Sequence, residues 1–169
     1  MTELLKNRLQ EQLALRIEKQ ISYQMDEVLG KVRKISRDFS IASKDKKSPF
    51  RNVLAVATDS GSSLEVIKNY IRYQVGRSGS SPIWTTLKDK ELFAKAVVQD
   101  LDNLIQDAQA ILTRIRKDIP KDHALEPYLE DNQNRERLKK DIHLKLVQLY
   151  LGYLAREHTA LVGESTLNK

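Results

Sequence analysis

The sequence predicts an all-α fold, an antiparallel bundle of four or five helices with a long N-terminal helix. Apolar residues recur at spacings of three and four along most of the chain, which is typical of helices with one buried face. The chain contains only 6 glycines and 4 prolines, few for a turn-rich β fold. We therefore expect more than about 60% helix. The length predicts a single helical domain over residues 1–169.

The first predicted helix has Thr2 as its N-cap and carries an apolar stripe as far as Phe39. The stripe consists of Leu5, Leu9, Leu13, Ile17, Ile21, Met25, Val28, Val32, Ile35 and Phe39. An unbroken helix of this length would extend about 55 Å, whereas a compact domain of this size has a radius of gyration of about 15 Å. We expect residues 1–39 either to break at Gly30 or to project and pack against another chain.

A polar stretch interrupts the apolar pattern at residues 40–48 (SIASKDKKS), which we interpret as a basic linker or exposed loop. Pro49 can open the next helix, and Phe50–Thr58 is apolar enough for a short buried helix. Another loop and helix then follow.

The next helix is expected to begin near Leu64, because Ser62 and Glu65 form a capping box, and to end at Gly76. Three apolar residues are expected to face inward: Ile67, Ile71 and Val75. Its outer positions are therefore open to a binding role.

The remaining chain predicts loops and two long helices. Residues 77–86 (RSGSSPIWTT) form a flexible loop that holds Trp84, for which core packing is favoured. A three-four spacing predicts a helix over residues 87–119, followed by a loop over 121–131 and a last helix over 132–162.

The residue types favour binding over catalysis. The chain has no cysteine, and its three histidines form no metal-binding pair, so neither a metal site nor a cofactor is predicted. Neighbouring carboxylates fall on different faces of the helices, and no GxSxG or SxxK motif is present. We predict that the protein is not an enzyme. With no signal-peptide pattern and no apolar run of about 18 residues, we expect a cytoplasmic protein without a membrane span.

Positive charge is concentrated in one stretch. The chain has a net charge of +6. The stretch from Lys31 to Arg51 contains eight basic residues and only two acidic ones, Asp38 and Asp45. Its net charge is therefore equal to that of the whole chain. A solvated helix end and a soluble loop would also give such a stretch, but a nearby basic-aromatic helix favours an anionic partner.

That helix lies in residues 68–77 (KNYIRYQVGR). Lys68 and Arg72 are four apart, and Tyr70 and Tyr73 are three apart on a neighbouring row. Cations neutralise phosphates, and tyrosines stack on unpaired bases. Alternatively, both tyrosines complete the core with their hydroxyls at its edge.

The basic segment over residues 44–51, called the basic loop below, and this helix together predict one RNA-binding surface. Its residues are Lys44, Lys46, Lys47, Arg51, Lys68, Tyr70, Arg72, Tyr73 and Arg77. The alternative is a helical protein-interaction or oligomerisation module, in which the first helix supplies the contact and the basic stretch is incidental.

A cysteine-free, basic, helical chain in which an IRYQVGR helix precedes a Gly/Ser loop and Trp84 resembles the small helical subunits of type III CRISPR effector complexes. The similarity is one of size, charge and helicity. It implies a non-catalytic subunit in antiviral defence that stacks in several copies along guide and target RNA. The partners it implies are RNA backbones and other protein subunits, including copies of itself.

Overall fold

The computed structural model describes residues 2–169, and the chain is 79% helical. The described α-helices are α1 (Glu3–Asp38), α2 (Ile41–Lys44), α3 (Phe50–Thr58), α4 (Leu64–Gly76), α5 (Phe93–Asp118), α6 (Glu126–Glu130) and α7 (Asn132–Leu167). The all-α class and the long N-terminal helix are confirmed. The described helices outnumber the four or five predicted because two predicted loops each contain a short helix, α2 and α6.

The first helix runs through Gly30 without a break. Thr2 caps it as predicted, since its Oγ1 accepts a hydrogen bond from Leu5 N at 3.3 Å. A glycine inside a helix costs about 1 kcal/mol relative to alanine, but the buried side chains of Val28 and Val32 flank Gly30 and hold the helix on both sides. Of the two alternatives for residues 1–39, the break is therefore excluded.

The chain divides into two compact units. The first contains the segment ending at Asp26 together with Leu104–Leu146. The second contains Glu27–Asn103 and Val147–Lys169. All nine residues of the predicted binding surface belong to the second unit, which is accordingly described in more detail.

In the first unit, buried and half-buried polar side chains of α1 and α5 form hydrogen bonds with one another. Arg114 donates through Nε to Gln20 Oε1 at 2.8 Å and through Nη2 to Gln24 Oε1 at 2.7 Å. Gln24 Nε2 donates to Asp107 Oδ1 at 2.7 Å. Such a network fits only one register of the two helices, so it specifies their packing in this unit.

In the second unit, aromatic rings fill the core around Phe50. Its ring centroid lies 5.6 Å from that of Trp84, 6.1 Å from that of Phe93 and 5.6 Å from that of His158. The core position predicted for Trp84 is confirmed, because this side chain is fully buried. Trp84 lies in a 3-10 helix, Pro82–Thr85, within the segment that was predicted to be a flexible loop.

The prediction of a helix from residue 87 onward is wrong for its first six residues. Strands β1 (Leu87–Lys88) and β2 (Glu91–Leu92) form an antiparallel hairpin there, and α5 begins only at Phe93. Asp89 and Lys90, in the turn, have φ angles of 49° and 67°. Positive φ at both central residues is what a two-residue type I′ turn requires and what a helix excludes.

Tyr150 is a fully buried residue of α7 whose hydroxyl donates to Asp100 Oδ2 at 2.6 Å. Burial raises the pKa of Asp100, while the Tyr150 hydrogen bond opposes that shift. Burial, followed by the Asp100 charge and hydrogen bond, raises the pKa of Tyr150 well above its usual value. The raised pKa of Tyr150 keeps its phenol protonated, so the phenol remains a donor to Asp100.

We predict that Tyr150→Phe lowers the free energy of unfolding at pH 7 by about 1–3 kcal/mol, because the Asp100 carboxylate loses its buried donor. Since the folded-state pKa of Tyr150 is raised, the unfolded chain loses this proton first, and the contribution of the phenol falls as pH rises above about 10. The gap between parent and variant should therefore narrow between pH 7 and about pH 10.5. Urea unfolding followed by Trp84 fluorescence measures both values.

The control for this prediction is Tyr23→Phe, which alters an exposed tyrosine. It should change the free energy of unfolding by no more than about 0.5 kcal/mol at either pH. A Tyr150→Phe loss that stays the same at both pH values would contradict the assigned role of the phenol.

Candidate nucleic-acid interface

The basic loop, defined here as residues 44–51, exposes four cations: Lys44, Lys46, Lys47 and Arg51. Two fully buried side chains fix its ends, Ile41 in α2 and Phe50 at the start of α3. Within residues 2–169, none of the four cations forms an ion pair. Their charge is therefore available to an anionic partner.

The basic stretch before this loop is partly neutralised. Lys34 pairs with Asp38, whose second carboxylate oxygen lies 3.2 Å from Lys88 Nζ. The hydrogen bond from Lys34 lowers the pKa of Asp38, and the same hydrogen bond, together with the charge of Asp38, raises the pKa of Lys34. The available positive charge is thus concentrated more narrowly than the sequence indicated, in the basic loop.

Asp45 anchors the basic loop from inside. Its carbonyl oxygen lies 2.7 Å from His158 Nε2, so the imidazole must donate from this nitrogen. Its carboxylate accepts from Ser81 Oγ at 2.7 Å and from Lys47 N at 3.0 Å. Because His158 is itself buried against Phe50, the loop is tied directly to the core of its unit.

Lys68 is engaged elsewhere. Its Nζ lies 3.0 Å from Asp102 Oδ1 and 3.1 Å from Glu65 Oε1. Hydrogen bonds to Asp102 and then to Glu65 raise its pKa. A phosphate would have to compete with both carboxylates, so Lys68 is the weakest of the predicted contacts.

The tyrosines and the cations of α4 occupy different sides of the helix. The buried face consists of Ile67, Ile71 and Gln74 rather than Val75, which is only half-buried. At about 100° per residue, the Tyr70–Tyr73 row and the Lys68–Arg72 row lie on opposite flanks of that face. They are therefore not the neighbouring rows that the sequence spacing indicated.

Tyr73 does not complete the core, because it is 57% exposed. Its ring centroid lies 6.4 Å from that of the half-buried Tyr70, with the planes tilted by 49°. Arg72 is exposed and forms no ion pair within residues 2–169. One flank of α4 thus offers an aromatic surface and the other a free guanidinium.

Lys47 of the basic loop and Arg77 at the end of α4 line one cavity of about 310 Å³. We call it the Lys47/Arg77 cavity. Its wall also includes Asn52, Asp45 and the turn residues Gly79, Ser80 and Ser81. The basic loop and the end of α4, which the sequence analysis assigned to one surface, therefore meet here.

Gln74 forms part of the same cavity wall and is only 4% exposed. Its Oε1 accepts a hydrogen bond from Arg77 Nε at 3.2 Å. Its Nε2 donates to no acceptor within residues 2–169. A buried donor without an acceptor costs about 1–3 kcal/mol, so an acceptor that entered the cavity would offset this cost.

Ser48 lines both this cavity and a second groove of about 590 Å³. The groove has an apolar floor formed by Leu54, Leu149 and Gly152, with Arg51 and Arg156 also lining it. The guanidinium of Arg156 lies 5.2 Å from the centroid of the Tyr153 ring, within reach of a cation–π interaction. Arginine and tyrosine side chains are thus combined beside the basic loop.

Sequence reasoning missed three of these residues. Gln74 had a recognisable signal, since it is a polar residue in register with Ile67 and Ile71 on the buried face. Tyr153 and Arg156 are three apart on α7, but their position beside the basic loop depends on long-range packing and has no local signature. Lys44 and Lys46 remain exposed on the loop without lining the cavity or the groove.

The comparisons with known proteins are negative: no protein-family model, curated protein or solved structure matches this chain. The resemblance to small CRISPR subunits therefore stays a prediction. Among residues 2–169, no group of three or more histidine, aspartate or glutamate side chains is placed to hold a metal ion. In the same range, no helix is long and apolar enough to cross a membrane.

We predict that His158→Phe loosens the basic loop, because the ring packing is kept while the carbonyl of Asp45 loses its donor. An unpaired buried carbonyl lowers the opening free energy by about 1–3 kcal/mol, which raises the open population about fivefold or more. Limited trypsin digestion with mass spectrometry should show faster cleavage after Lys44, Lys46 and Lys47.

Thr159→Ala is the matched control, since Thr159 is exposed and bonds only to Ala155 O of its own helix. Cleavage after Lys121, in the first unit, serves as an internal reference. An equal acceleration at Lys121 and in the basic loop would mean global unfolding and would contradict a local tether.

Proposed function

We propose that the protein is a non-catalytic RNA-binding subunit of a larger ribonucleoprotein, and that it contacts phosphates through the basic loop and the end of α4. The observation that carries this proposal is the Lys47/Arg77 cavity, where cations from two separate elements face one space. A role as a small subunit of a type III CRISPR effector complex, implied by the sequence resemblance, is part of this proposal.

Unpaired charge supports phosphate binding. Six exposed cations of the predicted surface form no ion pair within residues 2–169: Lys44, Lys46, Lys47, Arg51, Arg72 and Arg77. Each phosphate that such a cation neutralises releases counterions, and several contacts are needed for useful affinity. A basic loop anchored by Asp45 can supply them with little loss of conformational freedom.

Aromatic groups on α4 and in the groove beside Arg51 support a single-stranded partner. Tyr73 is exposed on α4, and Tyr153 lies under Arg156 in the groove next to Arg51. Stacking of a base on such a side chain is worth about 1–3 kcal/mol and tolerates any sequence. The expected ligand is therefore single-stranded RNA bound through its backbone without a fixed sequence.

A protein-interaction module is the second candidate, favoured by exposed apolar residues on α1. Leu4, Leu5 and Leu15 are all exposed on the part of this helix that belongs to the first unit. Such residues could contact other subunits or a second copy of the chain. Singly exposed apolar side chains are common on soluble proteins, so this observation is less specific than the Lys47/Arg77 cavity.

We predict that the double variant Lys47→Gln/Arg77→Gln binds single-stranded RNA more weakly and with a flatter salt dependence. Loss of two phosphate contacts should reduce the slope of log K against log salt concentration by about 1.4. Glutamine keeps a polar side chain at each position, so the fold should survive. Fluorescence anisotropy with labelled oligonucleotides at several salt concentrations measures the slope.

The matched control is Lys6→Gln/Arg8→Gln, which removes the same charge from exposed positions of the first unit. Its slope should equal that of the parent. Equal slopes for all three proteins would remove the Lys47/Arg77 cavity from the interface. If the parent binds no RNA at low salt but self-associates in sedimentation at high salt, the interaction module replaces this proposal.

A further inference from the structure

We infer that the Lys47/Arg77 cavity takes a terminal phosphate of an RNA strand, as a discrete site within the surface proposed above. This inference rests on the proposed function and adds the chemical group that enters the cavity. It begins from Gln74 Nε2, a buried donor that faces no acceptor within residues 2–169. The ligand must therefore present an acceptor rather than a donor.

The charges around the cavity indicate what kind of acceptor it takes. Two cations line it, Lys47 and Arg77, and one carboxylate, that of Asp45. That carboxylate already accepts hydrogen bonds from Ser81 Oγ and Lys47 N. The remaining field of the cavity is positive, which favours an anion over a neutral carbonyl group.

The number of donors favours a phosphate monoester among anions. Lys47, Arg77 and Gln74 all line the cavity, and each carries a side-chain donor. A terminal phosphate offers three acceptor oxygens and more than one negative charge at neutral pH. An internal phosphodiester carries one charge and continues as a chain on both sides, so it suits a recessed cavity less well.

The wall is built to keep these donors in place. Ser80 Oγ donates to Gln74 O at 2.6 Å, and Arg77 Nε holds Gln74 Oε1. Gly79, with φ at 79°, turns the chain between Arg77 and Ser80. The orientation of the Gln74 side chain is thus set by its neighbours before any ligand enters.

The test compares one RNA sequence with a 5′-terminal phosphate, with a 3′-terminal phosphate, and with hydroxyls at both ends. The parent should bind one phosphorylated form about tenfold more tightly than the hydroxyl form, the effect expected of a charge-assisted hydrogen bond. Gln74→Met keeps the side-chain length but removes both the Nε2 donor and the Oε1 acceptor that holds Arg77. It should reduce the ratio of the two affinities to less than about threefold.

Gln148→Met is the control, because Gln148 Nε2 already donates to Ala57 O at 2.9 Å. This variant should keep the preference for the terminal phosphate. Retention of the preference in Gln74→Met would overturn the assignment of Gln74. Equal binding of all three RNAs by the parent would overturn the terminal-phosphate inference while the proposed RNA binding stands, whereas no binding of any RNA would remove both.

Inorganic phosphate provides the remaining arm. Titration should shift the Gln74 side-chain amide signal in a nitrogen–proton NMR spectrum of the full chain, and the Gln148 amide signal should not move. A Gln74 shift combined with no preference among the RNAs would assign the cavity to a free phosphate compound and overturn the RNA source. No shift at Gln74 would overturn the phosphate site itself.

Discussion

The conformation of the basic loop depends on Asp45. This residue accepts hydrogen bonds at its carbonyl from His158 and at its carboxylate from Ser81 and Lys47. Cations so closely spaced repel one another and favour extended, mobile chain conformations. The loop keeps its shape because Asp45 connects it to a core that is stabilised independently, by the aromatic rings around Phe50.

That anchor also fixes one side of the Lys47/Arg77 cavity, while the C-terminal end of α4 fixes the other. The side chain of Gln74 is held by Arg77, and its carbonyl by Ser80. A ligand would therefore meet donors that are already oriented, and less of its binding energy would be lost in ordering the protein. Folding of the core and preparation of the cavity are coupled through the same few hydrogen bonds.

Local signals in the sequence identified most of this arrangement. The bounds of α3 and α4 follow from proline, glycine and the apolar spacing, although Ser63 rather than Ser62 caps α4. The hairpin of β1 and β2 was not predicted, because its two turn residues, Asp89 and Lys90, have positive φ although neither is a glycine. Glycine is the residue that usually indicates such a turn. The ion pair between Lys68 and Asp102 was also not predicted. It joins α4 to α5, and the sequence of neither helix indicates which helix it packs against.

Two buried glutamines of the first unit can be compared with Gln74. Gln20 and Gln24 are as buried as Gln74, yet their amide groups donate to Asp118 and Asp107. Both buried glutamines of the first unit therefore have acceptors for their amide groups, whereas Gln74 Nε2 has none within residues 2–169. Ser62 Oγ and His158 Nδ1 also lack partners within residues 2–169, but neither residue lines the cavity or the groove. A buried donor without an acceptor, beside a cavity and two cations, is the pattern expected of a binding site. There a ligand completes the hydrogen bonding.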